Sequence, residues 1–342
     1  MKAKLIVCIS AFTLTAICGT QAQSPATGAV SVTVDNFVRA ESDLYATNLE
    51  KQGGLGKLLS RREPASIDHQ TVIRLNRDTL YTSGVFDLDA GAVTIALPDS
   101  GKRFMSLQAI SEDHYANTYY GSEPHTFTHA NIGTRYVVIG IRTLVDPADP
   151  KDLEKVHALQ DAIKVSQKSA GTFEVPNWDP VSQKKVRDAL LILGSMIPDF
   201  KKAFGTKDQV DPIRHLLGAA LGWGGNADKD ATYLNITPAK NDGTTVYKLN
   251  VGSVPVDAFW SVSVYNAAGY FEKNPDNAYS INNLTAKKST DGSIAIQFGG
   301  CDGEIPNCLP TVKGWNYTMR LYRPRPEILN GTWKFPEPQP VN

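Results

Sequence analysis

The sequence predicts a mainly β protein, two β-sandwich regions joined by a helical segment, and three observations carry that expectation. Short runs rich in β-branched and aromatic residues recur between 71 and 143 and again after 247, bounded by turn formers such as Asp89-Ala90-Gly91 and Pro98-Asp99-Ser100-Gly101. Between them, from about 150 to 225, apolar residues recur at helical spacing, and two stretches open on Asp-Pro start signals, Asp149-Pro150 and Asp211-Pro212. The 342 residues also leave room for two cores at ~150 residues per domain.

Met1-Lys2-Ala3-Lys4 is basic, Leu5 to Ile17 is apolar, and Gly19, Thr20 and Ala22 are small. This predicts a secretory signal peptide over 1–22, its apolar run shorter than the ~20 residues a spanning helix needs. Cys18 would suit a lipoprotein, but Ile17 is bulky where a small residue is required. Cleavage would remove two lysines and no acid, leaving 33 basic against 35 acidic groups. That balance, without a basic block, argues against nucleic acid or an anionic membrane as partner. The expectation is a periplasmic or secreted protein without stable membrane insertion, meeting a small-molecule ligand or substrate; homo-oligomerisation stays open.

A first helix is expected from about Asp35 to Lys51, where Phe37, Ala40, Leu44 and Leu49 share a face before Gly53-Gly54. Strands are expected at Thr71 to Leu75, Leu80 to Leu88, Val93 to Leu97, Phe104 to Ile110 and Tyr136 to Ile141. Helices follow from Asp149, from near Ser182 and from Asp211. Strands resume at Tyr247 to Val251, Ala258 to Tyr265, Ser293 to Phe298 and Tyr317 to Tyr322. The proline-rich stretch 324–340 cannot serve as a central strand and is expected to wrap the surface. The organisation read from this is 23–148 (helix plus β-sandwich), 149–228 (helical) and 229–342 (β-sandwich).

Of four cysteines, Cys8 and Cys18 would leave with the leader, and Cys301 and Cys308 remain as an isolated pair with Gly303 and Pro306 between them. In an oxidising compartment this favours a disulfide. A metal pair would want two further ligands nearby, and a redox pair the tighter Cys-x-x-Cys spacing.

No Gly-x-Ser-x-Gly elbow, His-Glu-x-x-His or dinucleotide glycine fingerprint occurs, and Gly53-Gly54-Leu55-Gly56-Lys57 lacks the spacing and hydroxyl of a phosphate loop. His125 and His129 flank Thr and Phe, which favour extended chain and would hold the rings ~13 Å apart. No cofactor and no metal site is implied. Two segments place charge beside apolar strands: Asn76-Arg77-Asp78-Thr79-Leu80-Tyr81 and Glu112-Asp113-His114-Tyr115. Such charges are solvated, paired or functional, because burying one alone costs several kcal/mol. In the functional reading Arg77 binds an anionic group oriented by Asp78, and His114 with Asp113 moves a proton. A metal-dependent variant would use the same two residues. Asn76, Tyr81, Tyr115, Trp260 and Tyr265 would line the pocket. Against this, adjacent strand residues face opposite ways, so Asp113 and His114 share a cleft only if the strand has ended.

These segments, with Asn36-Phe37-Val38-Arg39-Ala40-Glu41-Ser42-Asp43, Phe259-Trp260-Ser261-Val262 and Arg320-Leu321-Tyr322-Arg323-Pro324, resemble a bacterial family with two adjacent domains of unknown function, 1254 (amino-terminal) and 1214 (carboxy-terminal). The resemblance implies an immunoglobulin-like sandwich, a helical spacer and a jelly-roll-like sandwich. It departs at Asn307-Cys308-Leu309-Pro310, where the family usually carries Asn-Trp-Leu-Pro. The function expected is acid/base chemistry on a small organic molecule, hydrolysis or a related step, in a cleft between the two β regions. The alternative is a non-catalytic binding or structural module of the cell envelope.

Overall fold

In a computed structural model, residues 28–70 and 72–341 are described; the expected leader, with Cys8 and Cys18, lies outside the described residues. The chain is mainly β, its strands arranged in four sheets.

A five-stranded antiparallel sheet runs in the order Leu59–Ser60, Thr79–Asp87, Tyr136–Leu144, Met105–Ser111, Ala116–Tyr119. Alternation divides its residues between two faces. Phe86, Leu107, Val137, Ile139 and Ile141 point to one side, into a core shared with Val93, Ile95 and Phe127 of a three-stranded sheet. Val85, Ile110, Tyr136 and Val138 point to the other and meet Ala46 and Leu49 of the helix Phe37–Lys51. That second face is apolar at one end only. Towards the other it carries Ser106, Gln108, Tyr81 and Arg142.

The helices Pro150–Asp161, Pro180–Gly194 and Pro212–Gly222 each begin with proline behind an aspartate whose carboxylate accepts first-turn amide hydrogen bonds. The last two close a small core with the first helix through Phe37, Ala40, Leu190 and Leu217. The expected helical stretch is not continuous. Lys164–Gln167 pairs with Val93–Ala96 and completes the three-stranded sheet, its residues too exposed for a buried-strand signature. Nor do residues 72–75 form the strand expected from Thr71 to Leu75; they are a loop in which Arg74 takes a φ of 53°.

Towards the carboxy terminus, a pair of four-stranded sheets encloses a core of Leu249, Ile296, Phe298, Trp260, Val262, Trp315, Met319 and Leu321. One contains Tyr247–Val251 and Ile294–Phe298. The other runs in the order Ser280–Asn282, Trp260–Tyr265, Asn316–Tyr322, Ala231–Ile236. The proline-rich end does more than wrap: Gln339–Pro340 pairs with Tyr247–Lys248 as an edge strand, where proline's missing donor costs little. Cys301 and Cys308 form a disulfide with Cα atoms 5.7 Å apart. Closing so short a loop contributes about 2.5 kcal/mol in chain-entropy terms. No helix among the described residues is long and apolar enough to cross a membrane.

Candidate functional site

The sheet Ser280–Asn282, Trp260–Tyr265, Asn316–Tyr322, Ala231–Ile236 has one apolar face and one polar face, both buried. Trp260, Val262, Tyr317, Met319 and Leu321 enter the core. Their neighbours Ser261, Ser263, Thr318, Arg320 and Tyr322 face the opposite way, none more than 3% exposed. A polar sheet face normally meets water. Here it meets the loop 74–76, Asp78 and the polar end of the five-stranded sheet. Between these surfaces and the turn 222–225 lies a cavity of about 1340 Å³.

Each sheet brings a tyrosine and an arginine to this cavity as direct cross-strand partners. Tyr81 is opposite Arg142, and Tyr233 is opposite Arg320. Arg142 donates to Gln108 Oε1 and to the Gly224 carbonyl, both at 2.8 Å, and its guanidinium carbon stands 5.5 Å from the Tyr81 ring centre. Arg320 donates to Ser263 Oγ at 2.8 Å, the Tyr265 hydroxyl at 2.7 Å and the Arg74 carbonyl at 2.9 Å. Arg74, also lining the cavity, donates to Thr318 Oγ1 at 3.0 Å. Among the described residues no carboxylate lies within 4 Å of any of these three guanidinium groups. Their hydrogen-bond partners are neutral, and only Arg320 also feels the charge of the buried Asp78.

Asn76 ties the hydroxyls together: its amide donates to Tyr322 Oη at 3.0 Å, Thr79 Oγ1 at 3.1 Å and Tyr81 Oη at 3.3 Å. Tyr233 Oη accepts from Asn226 at 3.0 Å. Burial pushes every phenol upward, but at Tyr81 the Arg142 charge, the Asn76 and Thr79 contacts and Arg320 outweigh it and hold the phenol below its ordinary value. At Tyr233 and Tyr322 burial prevails, and both lie above it. The neighbouring phenols are thus driven in opposite directions by their surroundings.

Of the residues singled out from the sequence, Asn76 and Tyr81 line the cavity. Asp78 and Tyr265 stand behind it. Asp78, 1% exposed, accepts from Ser261 Oγ at 2.6 Å, and burial pushes its carboxyl upward; Tyr265 accepts from Arg320 and donates to the Leu75 carbonyl at 2.8 Å. Three others point away. Arg77 donates to the Ala65 carbonyl and lies over the Tyr279 ring, so it clamps the 61–70 loop instead of holding an anion. Trp260 belongs to the apolar core, because the alternation that turns Ser261 toward the cavity turns its neighbour inward. Tyr115 stacks on His215 with centroids 4.8 Å apart.

Asp113 and His114 also depart from the expected roles. The strand ends at Ser111, and His114 takes a φ of 63° in the following turn. Asp113 pairs with Arg39 at 2.5 Å on the outside. His114 is 2% exposed, behind the cavity wall, sandwiched between Trp223 and His215. Its Nε2 accepts from the Gly224 amide at 2.9 Å, so the neutral ring carries its hydrogen on the unpartnered Nδ1. Burial, with His215 nearby, drives its pKa down to about 3. It is a neutral packing and capping group, and no general base near pH 7. The His114 ring resonances should accordingly stay those of the neutral imidazole from pH 7 down to pH 5 in an NMR titration; a midpoint near 6.5 would overturn this. Among the described residues no group of three or more His, Cys, Asp or Glu side chains could hold a metal ion.

Sequence reasoning missed Arg142, Arg320, Tyr233 and Tyr322 as site residues. The signal was present: Arg142 interrupts the run Tyr136–Leu144 and Arg320 the run Asn316–Tyr322, both otherwise strongly buried.

The comparisons with known proteins agree with the architecture. Residues 56–128 match the family model "Protein of unknown function (DUF1254)", and residues 230–326 match "Protein of unknown function (DUF1214)". No curated protein matches significantly. Among solved structures the chain is similar to the VPA0106 protein from Vibrio parahaemolyticus, with a TM-score of 0.68 and 18% identity over 90% of this chain and 98% of that one. It is also similar to an uncharacterised protein from Burkholderia cenocepacia, with a TM-score of 0.51 and 13% identity over 90% and 88% of the two chains. At these identities the likeness is one of fold.

Proposed function

We propose that this chain, in which the DUF1254 and DUF1214 models match in tandem, is an exported enzyme that binds an anionic small organic molecule in the cavity and transfers a proton at Tyr81. The single observation that carries this reading is Arg142, a half-buried cation facing the cavity without a carboxylate within ion-pair distance. A partly desolvated charge without a counter-ion is unfavourable, and an anionic occupant supplies the counter-charge. The Asn76, Tyr233 and Tyr322 groups place polar contacts around it, and the depressed Tyr81 phenol is the group poised to exchange a proton, in hydrolysis or a related acid/base step.

The finer organisation belongs to the same proposal: a leader over 1–22 directing the protein to the periplasm or outside the cell, an immunoglobulin-like sandwich over 23–148, and a jelly-roll-like sandwich over 229–342. A non-catalytic binding module is the second reading. It is favoured by the cavity's donor-rich lining, in which no serine or cysteine is paired with a histidine base.

Tyr81→Phe separates the two readings. Screening the purified protein against small carboxylic acids, esters, lactones and amides should find turnover that rises with pH until the depressed Tyr81 value, below the ordinary ~10, and then levels. Tyr81→Phe should cut that turnover at least a hundredfold and abolish the pH rise, with the thermal midpoint shifted by only a few degrees. An unchanged rate and pH profile in the variant would remove Tyr81 from the chemistry. Tight binding of an acid with no turnover across the panel would establish the second reading.

A further inference from the structure

Beyond its cluster of arginines and tyrosines, the same cavity is walled by hydrocarbon. Val72 and Ile73, each about half exposed, form one stretch of the wall on the loop that also carries Arg74 and Asn76. Ile197, Phe200 and Leu221 contribute from the helical region. Phe204, at the base, packs edge-on against His114. Exposed apolar side chains scattered singly need no explanation, but here two exposed and three half-buried ones line one cavity. At about 1340 Å³ that cavity exceeds the ~300–1,000 Å³ of typical small-molecule sites. A short anion would satisfy Arg142 and leave this wall wet.

We infer that the ligand is amphiphilic: a carboxylic acid whose head group meets Arg142 and Tyr81 and whose hydrocarbon body lies along Val72, Ile73, Phe200 and Leu221. This rests on the anion-binding reading above and adds the class of molecule. The orientation is assigned from the three guanidinium groups held at the two polar sheet faces, with Asp199 and Lys201 the charged neighbours of Phe200 at the other wall. A hydrocarbon cation, or a neutral ester of the same chain, would lack the head-group contact.

The test is a chain-length series on the full chain, followed by titration calorimetry below the micellar concentration of each probe. Butyrate, hexanoate, octanoate and decanoate should bind with affinities that climb by up to about fourfold per added methylene, the factor equivalent to full burial of one CH₂. Methyl decanoate should bind at least tenfold more weakly than decanoate. Leu221→Ser and Phe200→Ser should each shrink the ratio of decanoate to butyrate affinity; the series on the unaltered protein stands even if a variant fails to fold. Equal affinity along the series would overturn the amphiphile inference and leave the anion-binding reading intact. If no acid of any length binds, the anion-binding reading falls, and this inference with it. Equal binding of decanoate and methyl decanoate would likewise overturn the assigned head-group contact.

Discussion

Replacing Arg142 with methionine should abolish acid binding while leaving the protein folded. The guanidinium is one of the cavity cations without a carboxylate within 4 Å, and losing a desolvated charge contact typically costs about 3 kcal/mol or more, a hundredfold or greater weakening by calorimetry. Stability should respond little, for two effects oppose. Gln108 Oε1 and the Gly224 carbonyl each lose a donor, which costs about 1–3 kcal/mol per group left unsatisfied. Against that, a half-buried cation with no counter-charge is replaced by an apolar side chain of similar reach, a change that is often neutral or favourable. A net shift within about 2 kcal/mol is expected by denaturant titration. Unchanged affinity in this variant would show that the cavity's charge is not its binding determinant.

Arg320→Ala should have the opposite profile, a large loss of stability. Arg320 is only 3% exposed and ties its own sheet to the loop ahead of Asp78, donating to Ser263, Tyr265 and the Arg74 carbonyl. Truncation leaves those acceptors buried without a donor and deprives the nearby Asp78 of its cation. By analogy with breaking buried ionic networks, the cost is about 3–5 kcal/mol. For a chain of this size that lowers the thermal midpoint by on the order of 10 °C. Differential scanning calorimetry decides it: a shift of only two or three degrees would mean that the seam between the sheets is held by something other than this arginine. The two arginines thus look alike in sequence, each inside a buried strand run, and differ in what surrounds them.

That difference explains how much of the site could be read beforehand. The longer strands and the helices were largely legible from periodicity and from Asp-Pro starts, since those signals are local, but 72–75 is a loop and Ala231–Ile236 was not anticipated. Asn76 and Tyr81, which line the cavity, were singled out because charge and aromatic groups crowd one short segment. Arg142 and Arg320 lie in separate strands 178 positions apart, and only the pairing of sheets brings them to one cavity. Trp260 was misassigned because an aromatic rank says nothing about which face of a strand the ring occupies. His114 was misassigned because its ordinary pKa was assumed, whereas the turn after Ser111 buries it among Trp223, Phe204 and His215. The exposed strand Lys164–Gln167 escaped for the converse reason, having no buried face to announce it.

The meeting of two polar sheet faces has a thermodynamic consequence. An apolar seam holds itself together by excluding water, whatever the solution contains. On the proposed reading, a seam studded with cations is completed from solution, and its occupant becomes one of the things that hold the sheets together. A ligand present at a hundred times its dissociation constant adds about 2.7 kcal/mol to the folded state by mass action. On that reading the protein's resistance to heat and proteolysis is expected to gauge the free ligand around it, strong where the ligand is plentiful and slack where it is scarce.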